Sequence, residues 1–349
     1  MIKTGNMGSL TVRVATTLII CWICNPTGKN MSICNARGMG FGISNPCIPN
    51  GRIANPPEQE ETIVNVSYCR EDSLRVCELL ELGAKSLPPR GQLPVGSGAI
   101  GELATEVREG AALFYARQLM NLPYVAHTLE IKDKQEHLAI NLQSLDCTTL
   151  VENCCALALT TSHGSKRWQD YLSWLQKLRY DAGRIDGYKS RNHYFSQWIQ
   201  SGTKLGLVKE IVPPASISVP MKLSLTYMSE HPQSYPLLKE NMEERRLIAE
   251  MEKRVSGATV RYIPKERVGD SKKVLDFIKD GDIIAITTSK KGLDVSHVGF
   301  AVWGDDGKLH LLNASSIHKK VVLEPMTLFE YMQKHPSQTG IRVIRLSEK

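Results

Sequence analysis

The chain has no apolar run of the roughly 20 residues that a membrane-crossing helix requires. The stretch from Val14 to Cys24 is too short, so no stable span is expected. Neither a G-x-G-x-x-G string nor a phosphate-binding loop occurs, which removes the usual nucleotide-binding readings. Lys and Arg are scattered among Glu, and the net charge of +7 forms no basic stripe with aromatic platforms, so no nucleic-acid partner is expected. Cys21 and Cys24 form a C-x-x-C, but no second pair and no nearby His accompanies them. A metal or redox centre is therefore not expected there, and no metal or cofactor is expected elsewhere. Nothing repeats, and no Gly/Ser linker divides the chain.

What is present suits one domain of about 240 residues with an N-terminal appendage. Hydrophobic residues make up 42% of the 349, enough for a sizeable core. Lys3 and Arg13 precede the apolar stretch, the polarity of a secretory leader, so residues 1–30 are expected to be a signal segment and the protein to be exported. Residues 31–101 read as an irregular extension rich in Gly, Asn and Pro, with folded matter starting near Glu102. Nine cysteines are unevenly placed, and in an exported chain Cys69 and Cys77 invite a disulfide.

Within 102–349, apolar residues recur at helical spacing from Leu103 through Val107, Ala111 and Phe114, and again from Trp168 through Leu172, Leu175 and Leu178. An excursion from the core at about 213–262 carries four prolines between 213 and 235, then a charged and largely solvated helix from Leu237 to Val255. The last third changes period: Asp282 to Ile286, Val298 to Trp303, Leu309 to Leu312, Val321 to Leu323 and Ile341 to Leu346 are short strand-like runs. Helices first and strands last predict an α+β fold, with helices packed on an antiparallel sheet.

Asp146-Cys147-Thr148-Thr149 opens an apolar-periodic helix, placing one thiol in its first turn. Helix-terminal N–H groups stabilise an anion there and can make a thiol nucleophilic, although cysteine also serves simply as a small buried hydrophobe. A cysteine nucleophile needs a base and usually a group that orients the base. Among nine histidines, His297 stands out, at a strand start with small Gly299 and Ala301 on its own face; the alternative is a histidine that merely caps a strand. A hairpin loop centred on Asp305 would set His297 directly opposite Asn313, whereas a two-residue Asp306-Gly307 turn would send Asn313 to the other face.

Leu122-Pro123-Tyr124, Asn141-Leu142, Asp146 to Glu152, Leu178-Arg179-Tyr180, Arg191 to Trp198, Gly281-Asp282, Ser296 to Gly299 and Asn313 to Ser316 occur in that order. Together they resemble the N-acetylmuramoyl-L-alanine amidase-like family, a branch of the NlpC-type, papain-like cysteine peptidases. The resemblance covers roughly residues 105 to 346. It implies a papain-like fold with the catalytic cysteine at a helix N-terminus. The implied activity is cleavage of the amide between the lactyl group of N-acetylmuramic acid and L-alanine, on soluble anhydro-muropeptides, in a periplasmic and monomeric enzyme. Cys147 matches the nucleophile, His297 the base and Asn313 the third polar position. Ser296, beside the base, is expected to bind substrate.

Tyr124 is expected either to line the site or to pack on the cysteine helix. Arg191, His193, Tyr194 and Trp198 would meet a carboxylate and a sugar or peptide face, or else anchor their own loop. Glu152 either faces the cleft or is a solvated helix residue. The same triad would also serve a γ-D-glutamyl-diaminopimelate endopeptidase or an acyltransferase, and a non-catalytic muropeptide-binding module would keep the cleft alone.

Overall fold

The computed structural model describes residues 66–87, 110–130 and 135–347. The expected leader with its C-x-x-C, most of the expected extension and the run from Leu103 to Val107 lie outside the described residues. Folded matter nevertheless begins earlier than Glu102. Strand β1 (Val66–Ser67) leads into helix α1 (Arg70–Ser86), whose Val76, Leu79 and Leu80 belong to the main core. Its outer face carries Arg75, Glu78 and Glu81, and that charge hides a buried stripe at helical spacing. Cys69 caps α1 as a free thiol, pushed up to about 11 by burial and by the carboxylate of Asp72, to which its Sγ donates. Cys77 is disulfide-bonded, so the expected Cys69–Cys77 bridge is not made.

Helix α2 (Ala111–Gln118) and strand β2 (Leu138–Ala139), parallel to β1, precede α3 (Cys147–Ser162). Helices α4 (Trp168–Arg179) and α5 (Phe195–Lys204) follow. The remaining strands are β3 (Val208–Ile211), β4 (Val219–Lys222), β5 (Thr259–Pro264), β6 (Ile283–Thr288), β7 (Val295–Trp303), β8 (Leu309–Ser315), β9 (Lys320–Leu323) and β10 (Gln338–Leu346). Helix α6 (Met242–Val255) lies between β4 and β5, and α7 (Leu328–Gln333) between β9 and β10. The eight strands form one antiparallel sheet in the order β4-β5-β10-β6-β7-β8-β9, with β3 also paired to β10. The expected mixture of helices and antiparallel sheet is the one observed.

Helix α3 is the hub. Every residue from Cys147 to Thr160 is buried, because α1, α2 and α4 surround it on one side while β7 and β8 close the other. A helix enclosed all round shows only a weak amphipathic signal. The excursion is better integrated than its prolines suggest. Strands β4 and β5 extend the sheet, and α6 buries Ile248, Met251 and Val255 against Tyr194, Met228 and Leu293 in a small separate core. The expected solvated helix is therefore solvated on one face only.

Candidate active site

Cys147 is the first residue of α3, and Asp146 is its N-cap. The Asp146 carboxylate accepts from the Thr149 N–H at 2.8 Å, while the Asp146 N–H donates to Thr149 Oγ1 at 2.9 Å. This reciprocal box fixes the helix start that carries the thiol. The Asp146 carboxylate is thereby committed to capping its own helix.

On the sheet, β7 alternates. Val298, Phe300 and Val302 face the core shared with α3, and Ala301 faces a second core with Leu311, Tyr331 and Ile341. His297 follows the parity of Ala301, and Asn313 that of Leu311. Pairing of Phe300 with Leu312 and Trp303 with Leu309 centres the hairpin on Asp306, not on Asp305 as expected. The Asp306 carboxylate accepts from the Lys308 N–H at 2.9 Å, stabilising the longer loop. A two-position displacement preserves the face, so His297 and Asn313 are diagonal partners and not directly opposed. His297 Nε2 still lies 3.0 Å from Asn313 Oδ1.

The hydrogen bonds also assign the proton. Asn313 Nδ2 donates to the Leu311 carbonyl, which leaves Oδ1 facing the imidazole. An amide oxygen only accepts, so Nε2 carries the hydrogen and the neutral ring keeps its basic lone pair on Nδ1. Gly299 permits this approach, since a Cβ there would stand 2.6 Å from the Leu312 carbonyl oxygen and 2.9 Å from the Leu311 side chain. The Tyr331 ring, 6.3 Å from the imidazole, backs it from α7.

Cys147 and His297, approaching from opposite sides of the sheet, line one cleft at the start of β7. It encloses about 370 Å³, open mouth included, and is also lined by Thr148, residues 192–195, residues 293–296 and Val298. Cys147, His297 and Asn313 are all buried. Among the expected binding residues, His193, Tyr194 and Ser296 line this cleft. His193 Nε2 lies 2.7 Å from the Tyr188 carbonyl, and burial together with the charge of Arg191 lowers its pKa well below the ordinary value. Tyr194 donates to Glu252 of α6 at 2.6 Å, and burial plus that carboxylate raise its pKa.

The other four are placed differently. Arg191 is buried against Glu130 at 2.6 Å and Glu136 at 3.8 Å, and donates to the Leu129 carbonyl, so it secures its own loop away from the cleft lining. Burial opposes its charge, but the two carboxylates hold it more firmly protonated than usual. Trp198 is enclosed in the main core, stacked on Phe195 at 4.9 Å. Glu152, neither solvated nor in the cleft, pairs with Arg179 at 2.7 Å inside the core; burial raises its pKa while Arg179 opposes the rise. Tyr124 packs against the main core, bridged through its backbone to Leu145 beside the helix start.

Sequence reasoning missed Asn192, Phe195, Thr148, Leu293, Asp294 and Val295 as cleft residues. Asn192 and Asp294 had the plainest signal, being polar residues adjacent to an expected binding residue and to the strand that carries His297.

Residues 115–341 match the family described as AmiA-like, N-acetylmuramoyl-L-alanine amidase-like. No curated protein matches. A solved N-acetylmuramoyl-L-alanine amidase from Bacteroides uniformis is 42% identical, with a TM-score of 0.63, over 68% of this chain and 97% of that one. A Bacteroides fragilis protein, provisionally called a xylanase, is also 42% identical, with a TM-score of 0.62, over 67% of this chain and 100% of that one. A Legionella pneumophila protein, 22% identical with a TM-score of 0.53 over 68% of this chain and 88% of that one, shares the fold. The chain belongs to the N-acetylmuramoyl-L-alanine amidase-like family.

Proposed function

We propose that this protein is an NlpC-type cysteine amidase that hydrolyses the bond between the lactyl group of N-acetylmuramic acid and L-alanine in soluble muropeptides, anhydro forms included. One observation carries the mechanism: a thiol at a helix start shares a cleft with an imidazole whose far nitrogen is held by Asn313. The description of the family and the name of the amidase from B. uniformis support the choice of bond.

In this reading the Nδ1 lone pair of His297 takes the Cys147 proton, and the thiolate attacks the lactyl carbonyl. The oxyanion is stabilised by N–H groups of the first turn of α3, since the cap engages the N–H of Thr149 and the Asp146 carbonyl accepts from Leu150. Protonated His297 then donates to the departing L-alanine nitrogen, and afterwards deprotonates the water that hydrolyses the thioester. Asn313 holds the ring in the required tautomer but adds no charge to balance an imidazolium. The xylanase name borne by one relative does not suit this cleft. Glycoside hydrolysis ordinarily takes two carboxyl groups, and Asp294 is the single acidic residue among the described lining residues.

Export to a periplasm is part of the same proposal, motivated by the basic and apolar start of the chain and by the peptidoglycan-related substrate the family implies. Incubation with a disaccharide anhydro-muropeptide, followed by mass spectrometry, tests the bond. Release of an intact peptide beginning with L-alanine is expected. A product cut after D-glutamate, with its muramyl-alanine bond whole, would assign the chain to the endopeptidases instead.

A further inference from the structure

Helix α3 opens with two adjacent threonines whose hydroxyls have different occupations. Thr149 Oγ1 belongs to the cap: it accepts from the Asp146 N–H at 2.9 Å and donates to the Asp146 carboxylate at 2.9 Å. Thr148, 5% exposed, lines the cleft beside Cys147 and His297. Among the described residues the hydrogen-bond partner of its hydroxyl is Cys147 Sγ, 3.9 Å away. A threonine deeper in a helix can turn its hydroxyl back to the carbonyl four residues earlier, as Thr160 does to Ala156 at 2.7 Å. Thr148 is the second residue of α3 and has no helical turn before it to receive such a bond, which leaves its hydroxyl for the sulfur.

The direction of that contact depends on the charge of the sulfur. Beside a neutral thiol either group can donate, because S–H and O–H both carry a hydrogen and a lone pair. A thiolate only accepts. Once the Cys147 proton has passed to His297 Nδ1, the contact can run only from hydroxyl to sulfur, and a hydrogen bond to the charged form of a group favours that form. The surroundings offer the thiolate little else: the described lining of the cleft contains neither Lys nor Arg and does contain Asp294. We propose that Thr148 is a further catalytic residue, whose hydroxyl donates to the Cys147 thiolate and favours it both when it forms for attack and when it departs from the thioester during hydrolysis. No covalent bond to Thr148 is made or broken, and its proton stays on Oγ1. This rests on the reading of Cys147 as the nucleophile.

Two substitutions separate the hydroxyl from the shape of the side chain. Thr148→Val keeps the branch and removes the hydroxyl, whereas Thr148→Ser keeps the hydroxyl and removes a methyl. In each protein the Cys147 thiolate is followed by its ultraviolet absorbance as pH is raised, taken as the difference from the same protein carrying Cys147→Ala, and kcat/KM for N-acetylmuramyl-L-alanine is measured beside it. Thr148→Val should move the midpoint of the thiolate titration up by about one pH unit or more and lower kcat/KM about tenfold or more, as for loss of a hydrogen bond to a charged group. Thr148→Ser should restore most of both. A purely structural role would not displace the titration in one variant and return it in the other. An unmoved titration in Thr148→Val overturns the inference whatever the rate does, and so does a titration displaced as far in Thr148→Ser as in Thr148→Val. Should Thr148→Val fail to fold, Thr148→Ala takes its place against Thr148→Ser with the same readings. Failure of the underlying reading looks different: Cys147→Ala itself would still turn over the substrate.

Discussion

The two walls of the cleft are held in different ways. On the sheet side, His297 and Asn313 sit on adjacent strands of a continuous ladder, and their contact follows from strand parity plus one hydrogen bond. On the helical side, the chain from Arg191 to Trp198 enters α5 through an irregular segment, and its polar groups divide between two tasks. Arg191 and Trp198 turn inward to fasten the segment, while Asn192, His193, Tyr194 and Phe195 line the cleft. A chemically rich cluster in sequence need not be a binding cluster. In this wall the residues with the most conspicuous chemistry are the structural ones.

The contrast predicts that mutations in the two walls fail differently. His297→Ala removes the proposed base and should cost about 10²–10⁴-fold in kcat with an unchanged melting curve, read by steady-state kinetics beside calorimetry. Arg191→Ala leaves Glu130 and Glu136 facing each other without their cation, and should destabilise the fold by about 3–5 kcal/mol in denaturant titration. If Arg191→Ala instead melts normally and loses only affinity, Arg191 reads the substrate after all.

Smaller effects refine the picture. Asn313→Ala should lower kcat by roughly tenfold to a hundredfold, the loss of one hydrogen bond to a group that becomes charged during turnover. Its pH–rate profile should also move, which a purely structural role for Asn313 would not cause. His193 provides an acid limit. Burial, reinforced by Arg191, depresses its folded pKa well below the ordinary 6.5. Below about 6.5 the unfolded chain takes up a proton there that the folded chain refuses. The associated stability is complete above that value and is lost as pH falls. Melting curves between about pH 7.5 and pH 5 should therefore flatten in His193→Gln, and identical slopes in both proteins would contradict the account.

Legibility in the sequence followed the physics of each element. Cys147 was readable because a helix start has local signals, an N-cap and then apolar periodicity. The pairing of His297 with Asn313 was readable in face but not in register, because parity survives a shift of two while the turn geometry at Asp306 decides the offset. Helix α1 was missed because its outward charges are conspicuous and its buried stripe is short. The roles of Glu152 and Arg191 were not readable, since each depends on a partner distant in sequence: Arg179 for the first, Glu130 and Glu136 for the second.

If Cys147 is the nucleophile, it becomes covalently acylated during turnover. Acid quenching during turnover of N-acetylmuramyl-L-alanine, followed by peptide mass spectrometry, examines it directly. A muramyl-lactyl thioester is expected on the peptide containing Cys147, absent from Cys147→Ala, which should fold normally and be inactive. Full turnover by Cys147→Ala, or acylation at another residue, would contradict it.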